Sequence, residues 1–180
     1  MIMKFQNILF FILLFSCATT WQVRGQKMEI EERISEKYFP KPALAFIERN
    51  YPEVNKRKLY RETSAADSIT YEAKFRSEGF LYSIEFWPDG QLLDIEKRVK
   101  FRSVPESTRR KMRDRWAADM KKFRVVKCQE QTSDAGTRYE VEVRGKIEQQ
   151  VSFFQYLFEA DGTFVQKSKI ILRPNDMTLY

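Results

Sequence analysis

The chain has 180 residues, carries 32 lysines and arginines against 25 aspartates and glutamates, and contains no histidine, which leaves a formal charge of +7. Without histidine it has no Ser-His-Asp or Cys-His triad and no zinc site of the usual histidine-containing kinds, and its two cysteines do not replace these groups. We therefore expect neither a conventional hydrolase nor a zinc enzyme. The hydrophobic content of 43% predicts a folded core in one domain or two small ones.

The first 25 residues predict an export signal. Lys4 precedes an uninterrupted apolar run from Ile8 to Phe15, and Val23-Arg24-Gly25 ends in a small residue that suits cleavage before Gln26. The run is shorter than the roughly 20 residues that a membrane-spanning helix needs, and no later segment is apolar for long enough to span. We expect an exported chain, periplasmic or secreted, with no transmembrane segment in its mature form.

A second processing signal overlaps the first. The segment Leu14-Phe15-Ser16-Cys17 resembles a bacterial lipobox, in which Cys17 is lipidated and becomes the new N-terminus, although Phe15 fits that pattern poorly. We prefer simple secretion and keep lipoprotein anchoring through Cys17 as the alternative. Both interpretations predict export.

A weak internal repeat covers most of the remaining chain. The matched pairs are Ile30–Ile34 with Ile95–Val99, Phe39-Pro40 with Val104-Pro105, Tyr71–Phe75 with Tyr139–Val143, and Phe86–Gly90 with Phe158–Gly162. These pairs predict two tandem units, 26–101 and 102–180, behind a signal peptide at 1–25. The units share a strand at their junction, so one continuous domain is the alternative.

Each unit predicts one helix followed by four strands, in the order α-β-β-β-β. Pro40 and Pro105 suit the start of a helix, and apolar residues then recur at helical spacing. Alternating strands follow, and Asp89-Gly90 and Asp161-Gly162 predict hairpin turns. We interpret these dipeptides as turns and not as calcium loops, because the spaced acidic ligands of a calcium site do not follow them.

These features carry a resemblance to a known family. A proline-initiated helix with Tyr51 or Trp116 near its end, an alternating strand that begins Tyr-Glu, and an apolar strand that runs into Asp-Gly are duplicated behind a signal peptide. This arrangement resembles the PepSY-like family of bacterial envelope proteins, which is also described as similar to beta-lactamase-inhibitor proteins (BLIP-like). The resemblance implies an α+β fold with helices packed on one face of an antiparallel sheet. It also implies binding or inhibition of another envelope protein, and its motifs include no catalytic residue.

Side-chain alternation predicts a partner-binding surface on the sheet face away from the helices. It directs one set of residues towards the helices, namely Tyr82, Ile84, Phe86, Phe154, Tyr156 and Phe158. A solvated sheet face should be largely polar, so apolar residues on it predict a patch for a protein partner. The candidate partner-binding residues are Leu81, Trp87, Val151, Phe153 and Leu157. The alternative is that this face is the buried one, or that sheet curvature or the N-terminal segment covers it.

Basic residues dominate the stretch 105–124, which we predict as the second helix. Met112, Trp116, Met120 and Phe123 share one stripe at helical spacing. The outward-facing candidates for an anionic lipid or glycan are Arg110, Lys111, Lys121 and Lys122. A merely solvated helix face is the preferred alternative, because such charge runs are common on amphipathic helices. Nucleic acid is not an expected partner, since no nucleic-acid module is visible.

Candidates for catalysis are lacking in the sequence. Cys128 lies in an alternating run, where we interpret it as a small hydrophobe on a strand and not as a reactive thiol. Glu29, Glu31 and Glu32 are neighbouring carboxylates on a polar segment, which is usually solvent-facing. No nucleophile–base pair can be assembled, so we expect no enzyme, no cofactor and no metal site.

Two functions remain. The leading hypothesis is an exported, non-enzymatic protein that binds or inhibits another envelope protein through the open sheet face. The alternative is an envelope-surface module whose basic helix 105–124 binds anionic lipid or glycan. High salt weakens the second more than the first, because exposed charges are screened over about 8–10 Å. A small ligand held between helices and sheet is left open.

Overall fold

The computed structural model describes residues 29–64, 67–147 and 150–170. The predicted signal peptide at 1–25 and the lipidation candidate Cys17 lie outside the described residues. The elements in chain order are β1 (Glu29–Ile34), α1 (Lys41–Asn50), β2 (Arg57–Ser64), β3 (Ile69–Ser77), β4 (Phe80–Phe86), β5 (Leu92–Arg98), α2 (Glu106–Asp119), β6 (Lys122–Ser133), β7 (Gly136–Ile147), β8 (Gln150–Glu159) and β9 (Phe164–Ile170). A short 3-10 turn precedes each helix, at Glu36–Tyr38 and at Phe101–Ser103.

The nine strands form one antiparallel sheet, in which each strand pairs with the next one along the chain. The two halves of the chain meet where β5 pairs with β6, with Ile95–Arg98 opposite Gln129–Thr132. This confirms the expected antiparallel sheet of an α+β fold, and both halves belong to a single continuous sheet. The strands β1 and β9 are its edges.

Both helices pack on the same face of the sheet. Buried Ala43 and Ile47 of α1 belong to a core cluster with β2–β5, and Met112 and Trp116 of α2 belong to a second cluster with β6–β8. The strand residues predicted to face the helices lie in these two clusters, which confirms the predicted alternation; they are Tyr82, Ile84, Phe86, Phe154, Tyr156 and Phe158. Neither helix in the described ranges is long and apolar enough to cross a membrane.

Cys128 is part of the second core cluster. It lies on β6 and is buried, as expected for a small hydrophobe on a strand. Burial, together with the nearby carboxylate of Glu130, raises the pKa of its thiol to about 12. Because the thiolate is the nucleophile, this thiol is inert in the folded protein at neutral pH.

The second helix is shorter than predicted. It ends at Asp119, Met120 has an extended backbone, and β6 begins at Lys122, so the prediction of a helix over 105–124 is wrong at its C-terminal end. Phe123 contacts Trp116 from the strand, with ring centroids 5.6 Å apart. Met120 and Phe123 therefore join the core as predicted, but not from a helix. Met120 does so from the extended segment that follows α2, and Phe123 from strand β6. Membership of the core does not distinguish a helical stripe from a helix followed by a strand.

Both Asp-Gly dipeptides form the predicted turns. Gly90 and Gly162 have φ angles of +85° and +87°, which favour glycine, and their N–H groups donate 2.8 Å hydrogen bonds to carbonyl oxygens three residues earlier. A Cβ at Gly90 would lie 2.9 Å from Cβ of Pro42, and one at Gly162 would lie 3.0 Å from the carbonyl oxygen of Thr108. Each turn therefore packs closely against the first turn of the helix that opens its half of the chain.

Candidate binding groove on the open sheet face

The sheet face away from the helices forms a groove of about 1260 Å³. Glu31 of the edge strand β1 and Ser168 of the opposite edge strand β9 both line this groove. In a flat sheet, strands spaced by 4.7–4.9 Å would place the first and ninth strands about 38 Å apart. The open face is therefore concave, as expected for a large twisted antiparallel sheet that curls.

Carboxylates stand directly opposite one another on neighbouring strands of this face. On β3, Ala73 points to the core, so its neighbours Glu72 and Lys74 point to the groove. Glu85 of β4 lies opposite Glu72, and Asp94 of β5 lies opposite Glu85. Like charges directly opposite one another destabilise a sheet. The placement of these opposed carboxylates is therefore not explained by a contribution to the stability of the sheet.

The buried charged groups of the groove are all carboxylates. Four of them line the groove and are only 3–9% exposed; we call Glu62, Glu72, Glu85 and Glu142 the acidic floor. No lysine or arginine that lines the groove is buried: Arg57, Lys74 and Lys127 are half-buried, and the others are exposed. Water screens exposed charges far more than buried ones. The charged side chains most shielded from water in the groove are therefore acidic.

The margin of the groove has the opposite balance. We call its exposed lysines and arginines the basic rim; they are Arg33, Lys56, Lys58, Arg76, Arg98 and Lys169. Three exposed glutamates also line the groove, namely Glu31, Glu36 and Glu48. The rim is thus basic on balance and surrounds an acidic bottom, so charge is segregated by depth.

Two lysines reach the acidic floor. The ammonium group of Lys74 lies 2.6 Å from Glu72 Oε2 and 2.9 Å from Glu31 Oε1, and that of Lys127 lies 3.3 Å from Glu142 Oε1. Burial alone lowers the pKa of Lys74, but the carboxylates of Glu72 and Glu31 outweigh it and raise that pKa above the usual lysine value. Lys74 therefore stays charged and balances part of the floor.

A cluster of carboxylates at the β1–β3 end has the spacing of a cation site. One oxygen each from Glu31, Glu62 and Glu72 lie within 4.8 Å of one another, and such oxygens are the ligands that hard cations take. The ammonium group of Lys74 already contacts two of the three side chains. The chain itself supplies the positive charge at this point, and we assign no metal to it.

Two glutamines of β6 add polar groups to the open face, and one of them, Gln129, lines the groove. The amide nitrogen of Gln129 donates a hydrogen bond to Glu96, and that of Gln131 donates one of 2.8 Å to Asp94. Gln129 lines the groove and is 4% exposed, yet its Oε1 accepts no hydrogen bond from the described residues. A buried acceptor without a donor is unfavourable by about 1–3 kcal/mol. The Gln129 side chain thus contains an enclosed acceptor with no donor in the part of the chain that the structure describes.

The predicted apolar residues are spread over the face. Leu81, Trp87 and Val151 are exposed, by 41%, 42% and 52%, whereas Phe153 and Leu157 are half-buried. Leu81 lines the groove itself. Leu81 and Trp87 lie at the two ends of β4, about 20 Å apart at the rise of a strand. On β8 the structure brings together only Val151 and Phe153, whereas Leu157 lies as far from Val151 as Trp87 lies from Leu81.

The predicted anionic-surface residues are all exposed but do not share one helix face. Arg110 and Lys111 lie on α2, Lys121 follows its end, and Lys122 begins β6. Because Phe123 points to the core, alternation directs Lys122 to the sheet face opposite α2. Lys111 forms a 2.9 Å ion pair with Asp161. Hydrogen bonds from Lys111 and Thr163 lower the pKa of the Asp161 carboxyl.

Sequence reasoning missed the acidic floor. Glu72, Glu85 and Glu142 each lie between two core-facing residues of a strand, and glutamate is disfavoured in strands. Acidic residues recurring at outward positions of adjacent strands were a usable signal.

Comparisons with known proteins bear on the fold. No protein-family model matches the chain, and no curated protein does. Among solved structures, a BLIP-like protein from Bacteroides fragilis aligns with a TM-score of 0.57 at 13% identity, over 77% of this chain and 92% of that one. A DUF2874 family protein from Bacteroides uniformis aligns with a TM-score of 0.59 at 20% identity, over 78% and 96%.

A protein from Bacteroides eggerthii that is inferred to be periplasmic aligns with a TM-score of 0.61 at 19% identity, over 78% of this chain and 95% of that one. At these identities the likeness concerns the fold. The chain therefore has a BLIP-like fold, in agreement with that part of the resemblance seen in the sequence.

Proposed function

We propose that this chain is an exported, non-enzymatic protein that binds another envelope protein in the groove of the open sheet face and inhibits or holds it there. The observation that carries the proposal is the concave groove of about 1260 Å³, which both halves of the sheet line. Pockets for drug-sized ligands span about 300–1,000 Å³. A groove larger than that, open along the sheet, suits a protruding segment of a folded partner.

The composition of the face is that of a protein interface. Interfaces combine a few apolar or aromatic anchors with polar surroundings. The candidate anchors here are Leu81, which lines the groove, and Trp87, Val151, Phe153 and Leu157, which lie outside its lining. Binding would act by steric occlusion, since the proposal assigns no bond-making group to the face.

The proposal also includes export of the protein to the envelope and a chain built from two tandem units. The similar solved structures include a BLIP-like protein and one inferred to be periplasmic, which supports an envelope location. In each half a helix is followed by four strands, which supports two tandem PepSY-like units, 26–101 and 102–180, although the first half differs from the predicted order in having an additional strand, β1, before its helix. The close packing of Gly90 and Gly162 against the two helix starts is a further common feature. N-terminal sequencing of the mature chain tests the signal peptide: a start at Gln26 indicates secretion, and a lipidated Cys17 indicates anchoring.

The test of partner binding is cross-linked capture from envelope extract, read by mass spectrometry, with a matched pair of variants. We expect Leu81→Ser combined with Trp87→Ser and Phe153→Ser to abolish recovery of the protein that the wild type captures. The control is Ile30→Ser, which removes an exposed apolar side chain from the helix-side face of β1. Recovery that survives the triple variant, or that is lost equally in the control, argues against the open face.

A second candidate function rests on the exposed basic residues beside α2. Arg110 and Lys111 project from the helix and Lys121 follows it, whereas Lys122 points to the other face of the sheet, so the first three are the ones that suit anionic lipid or glycan. Under this alternative, Arg110→Glu with Lys121→Glu removes binding to anionic vesicles, and high salt does the same. Under the leading proposal, capture of the protein partner is similar at low and high salt and is unaffected by these two changes.

A further inference from the structure

We propose that the partner segment bound on the open face is a β-hairpin, one strand of which carries two acidic residues separated by one residue while the other strand is apolar, and that it docks on β6–β8. This inference rests on the proposed function, and it specifies the chemistry of the partner. Four cations face one another on this part of the sheet. We call them the basic rows; they are Lys122 and Arg124 of β6 and Arg144 and Lys146 of β7.

The basic rows lie on the open face. Phe123 of β6 packs against the core, and a Cβ at Gly145 of β7 would overlap the side chain of Met120, so both positions point to the helix side. Because successive residues of a strand point to opposite faces, the neighbours of Phe123 and Gly145 point away from the helices. All four cations are exposed.

Each row sets two cations directly opposite each other. Lys122 pairs with Lys146, and Arg124 pairs with Arg144, in the antiparallel register of β6 and β7. Like charges in such positions destabilise a sheet. The next outward residue of β7, Glu142, is already paired with a lysine of β6 at 3.3 Å. Among the residues that the structure describes, no carboxylate forms an ion pair with the basic rows.

The basic rows adjoin the groove. A notch of about 380 Å³ lies beside β6, just beyond the point where its pairing with β5 ends. The charged residues that line this notch are all basic, namely Arg98, Lys100, Arg102 and Lys127. Two of them, Arg98 and Lys127, also line the groove. Positive charge is therefore continuous from the basic rows to the groove, and complementary potentials favour an acidic partner there.

Apolar side chains continue both rows on the next strand. Val151 of β8 lies opposite Lys146, and Phe153 of β8 lies opposite Arg144. Ile170 of β9 lies opposite Phe153 and also lines the groove. Each row thus passes from two cations to an apolar side chain. A matching ligand carries negative charge on one side and apolar groups on the other.

The spacing of the rows matches an extended peptide. The two rows are two residues apart on each strand, which is about 6.4–6.8 Å at the rise of a strand. Side chains two residues apart on an extended partner point to the same side with the same spacing. Two acidic residues so placed set one carboxylate over each row, where it accepts hydrogen bonds from two cations. The second strand of a hairpin, about 4.8 Å away, brings apolar side chains over β8.

Other anionic ligands match this surface less well. A free phosphate satisfies the basic rows but leaves Val151 and Phe153 uncovered. A bilayer is flat, whereas the open face is concave. A hairpin covers both the cations and the apolar residues. Once it does so, the ion pairs beneath it are screened much less than exposed pairs, so binding tolerates salt.

The test is a selection from a library of disulfide-closed peptide hairpins with randomised strands, on the folded mature protein. We expect two acidic residues separated by one residue to rise several-fold over the input library, with apolar residues on the other strand. The selected hairpins should lose at least about tenfold in affinity, or 1.4 kcal/mol, against the Arg124→Gln/Arg144→Gln protein. The matched control is Arg110→Gln/Arg113→Gln, which removes the same charge from the exposed side of α2 and should change affinity little.

Thermal unfolding gives a second readout. Because the basic rows repel each other, Arg124→Gln/Arg144→Gln should unfold at the temperature of the wild type or at a higher one. A lower unfolding temperature would mean that the two arginines stabilise the sheet, and it would overturn the inference. Lys122→Gln/Lys146→Gln repeats both measurements on the other row.

The outcomes separate this inference from the function on which it rests. Hairpins that lose affinity for the Phe153→Ser protein but show no acidic enrichment overturn the inference and leave the open face as a binding site. Acidic hairpins that bind the Arg124→Gln/Arg144→Gln protein as tightly as the wild type also overturn it. If no selected hairpin depends on any open-face residue, the proposed function fails together with the inference.

Two anionic probes test the other ligands. These are inorganic pyrophosphate and vesicles of phosphatidylcholine with phosphatidylglycerol. If either binds the wild type more tightly than the hairpins do, and loses this binding in the Arg124→Gln/Arg144→Gln protein, the basic rows take phosphate groups and the protein hairpin is excluded. Acidic hairpins that bind more tightly than both probes support the inference.

Discussion

The two halves of the molecule attach their helices to the sheet in different ways. In the second half, Trp116 of α2 is fully buried among the rings of Phe101, Phe123, Tyr156 and Phe158, at centroid distances of 5.3–6.2 Å. In the first half, the matching position holds Tyr51, which is half-buried at the end of α1 and lies 5.0 Å from the ring of Phe75. The helix of the second half therefore contributes a more deeply buried aromatic side chain to its core than the helix of the first half does.

Polar contacts follow the same division. Asp119 at the end of α2 accepts hydrogen bonds from Tyr156 at 2.8 Å and Lys167 at 3.0 Å, and it lies 3.1 Å from Arg115. These contacts connect α2 to β8 and β9. The ion pair that joins α1 to β2, between Glu48 and Arg57, is longer at 3.4 Å, and Glu48 is exposed. An exposed pair of this kind contributes little to stability.

Most of the acidic floor lies in the first half of the molecule. Three of the four residues of the acidic floor, Glu62, Glu72 and Glu85, lie on β2–β4, beside the less firmly attached helix. Buried carboxylates on one face are unfavourable unless they are paired. The comparison teaches that cohesion and candidate binding chemistry are distributed between two halves, which the β5–β6 pairing joins into one sheet.

The largest expected difference between the two halves is in the loss of stability when the two matching aromatic residues are truncated. We expect Trp116→Ala to lower the free energy of unfolding by about 3–5 kcal/mol, because it removes a fully buried side chain and leaves a cavity. Tyr51→Ala should lower it by only about 1–3 kcal/mol, since Tyr51 is half-buried. Urea unfolding followed by circular dichroism measures both. Equal losses would mean that the two halves are held equally well.

A smaller effect is expected at the two Asp-Gly turns. Gly90→Ala and Gly162→Ala should each lower the free energy of unfolding by about 2–4 kcal/mol, because a positive φ is strained for alanine and the added Cβ overlaps the helix start. Gly162→Ala should have the larger effect of the two. The added Cβ meets the backbone of Thr108, whose side-chain hydroxyl donates a 3.1 Å hydrogen bond to the carbonyl oxygen of Ala160 in the same turn, so the turn and the helix start cannot separate without straining this bond.

Two other glycines are the controls for this prediction. Gly79 and Gly136 also have positive φ angles, but a Cβ at either would meet nothing within 4 Å. Gly79→Ala and Gly136→Ala should therefore show the backbone strain alone, about 1–2 kcal/mol. If all four variants lose the same stability, close packing against the helices contributes nothing measurable.

The smallest effect concerns the acid stability of the second half. Burial disfavours ionisation of Asp119, but hydrogen bonds from Lys167 and Tyr156 outweigh it and lower its pKa below the ordinary 3.8. A depressed carboxyl pKa adds stability that is present above the unfolded value and is lost as the pH falls through the folded value. Asp119→Asn should thus lower the free energy of unfolding at neutral pH by about 1–2 kcal/mol and flatten its decrease in acid.

Unfolding by urea at a series of pH values measures this dependence. Asp114→Asn on the exposed side of the same helix is the matched control, since it removes the same charge without those contacts. An acid limb that keeps its slope in Asp119→Asn would show that other carboxylates dominate the pH dependence.

Several parts of the fold were predictable from local patterns. The helix starts at Pro40 and Pro105, the Asp-Gly turns and the alternation that sends Ile84 and Tyr156 to the core depend on neighbouring residues, and all are found. The end of α2 was not predictable in this way. Met120 and Phe123 reach the core both in a continued helix and in the strand that is present, so hydrophobic spacing does not separate the two.

The candidate site was predicted only as a face. Period-two alternation identified which side of the strands is open, and Leu81 was placed on the groove side. The grouping of Glu62, Glu72, Glu85 and Glu142 at the groove bottom was not predicted, because these residues come from four strands whose order and register arise from long-range pairing. The burial of these glutamates was not predictable for the same reason, since on a flat sheet their side chains would be exposed to water.

By itself, the sequence determined the features that depend on near neighbours: helix starts, turns, the two sides of each strand, and the absence of any histidine-based chemistry. The tertiary structure alone decided the curvature of the sheet, and with it the burial of the acidic floor beneath a basic rim. The physical reason is that alternation specifies the direction of a side chain from its own backbone, whereas depth depends on how nine paired strands twist and curl together.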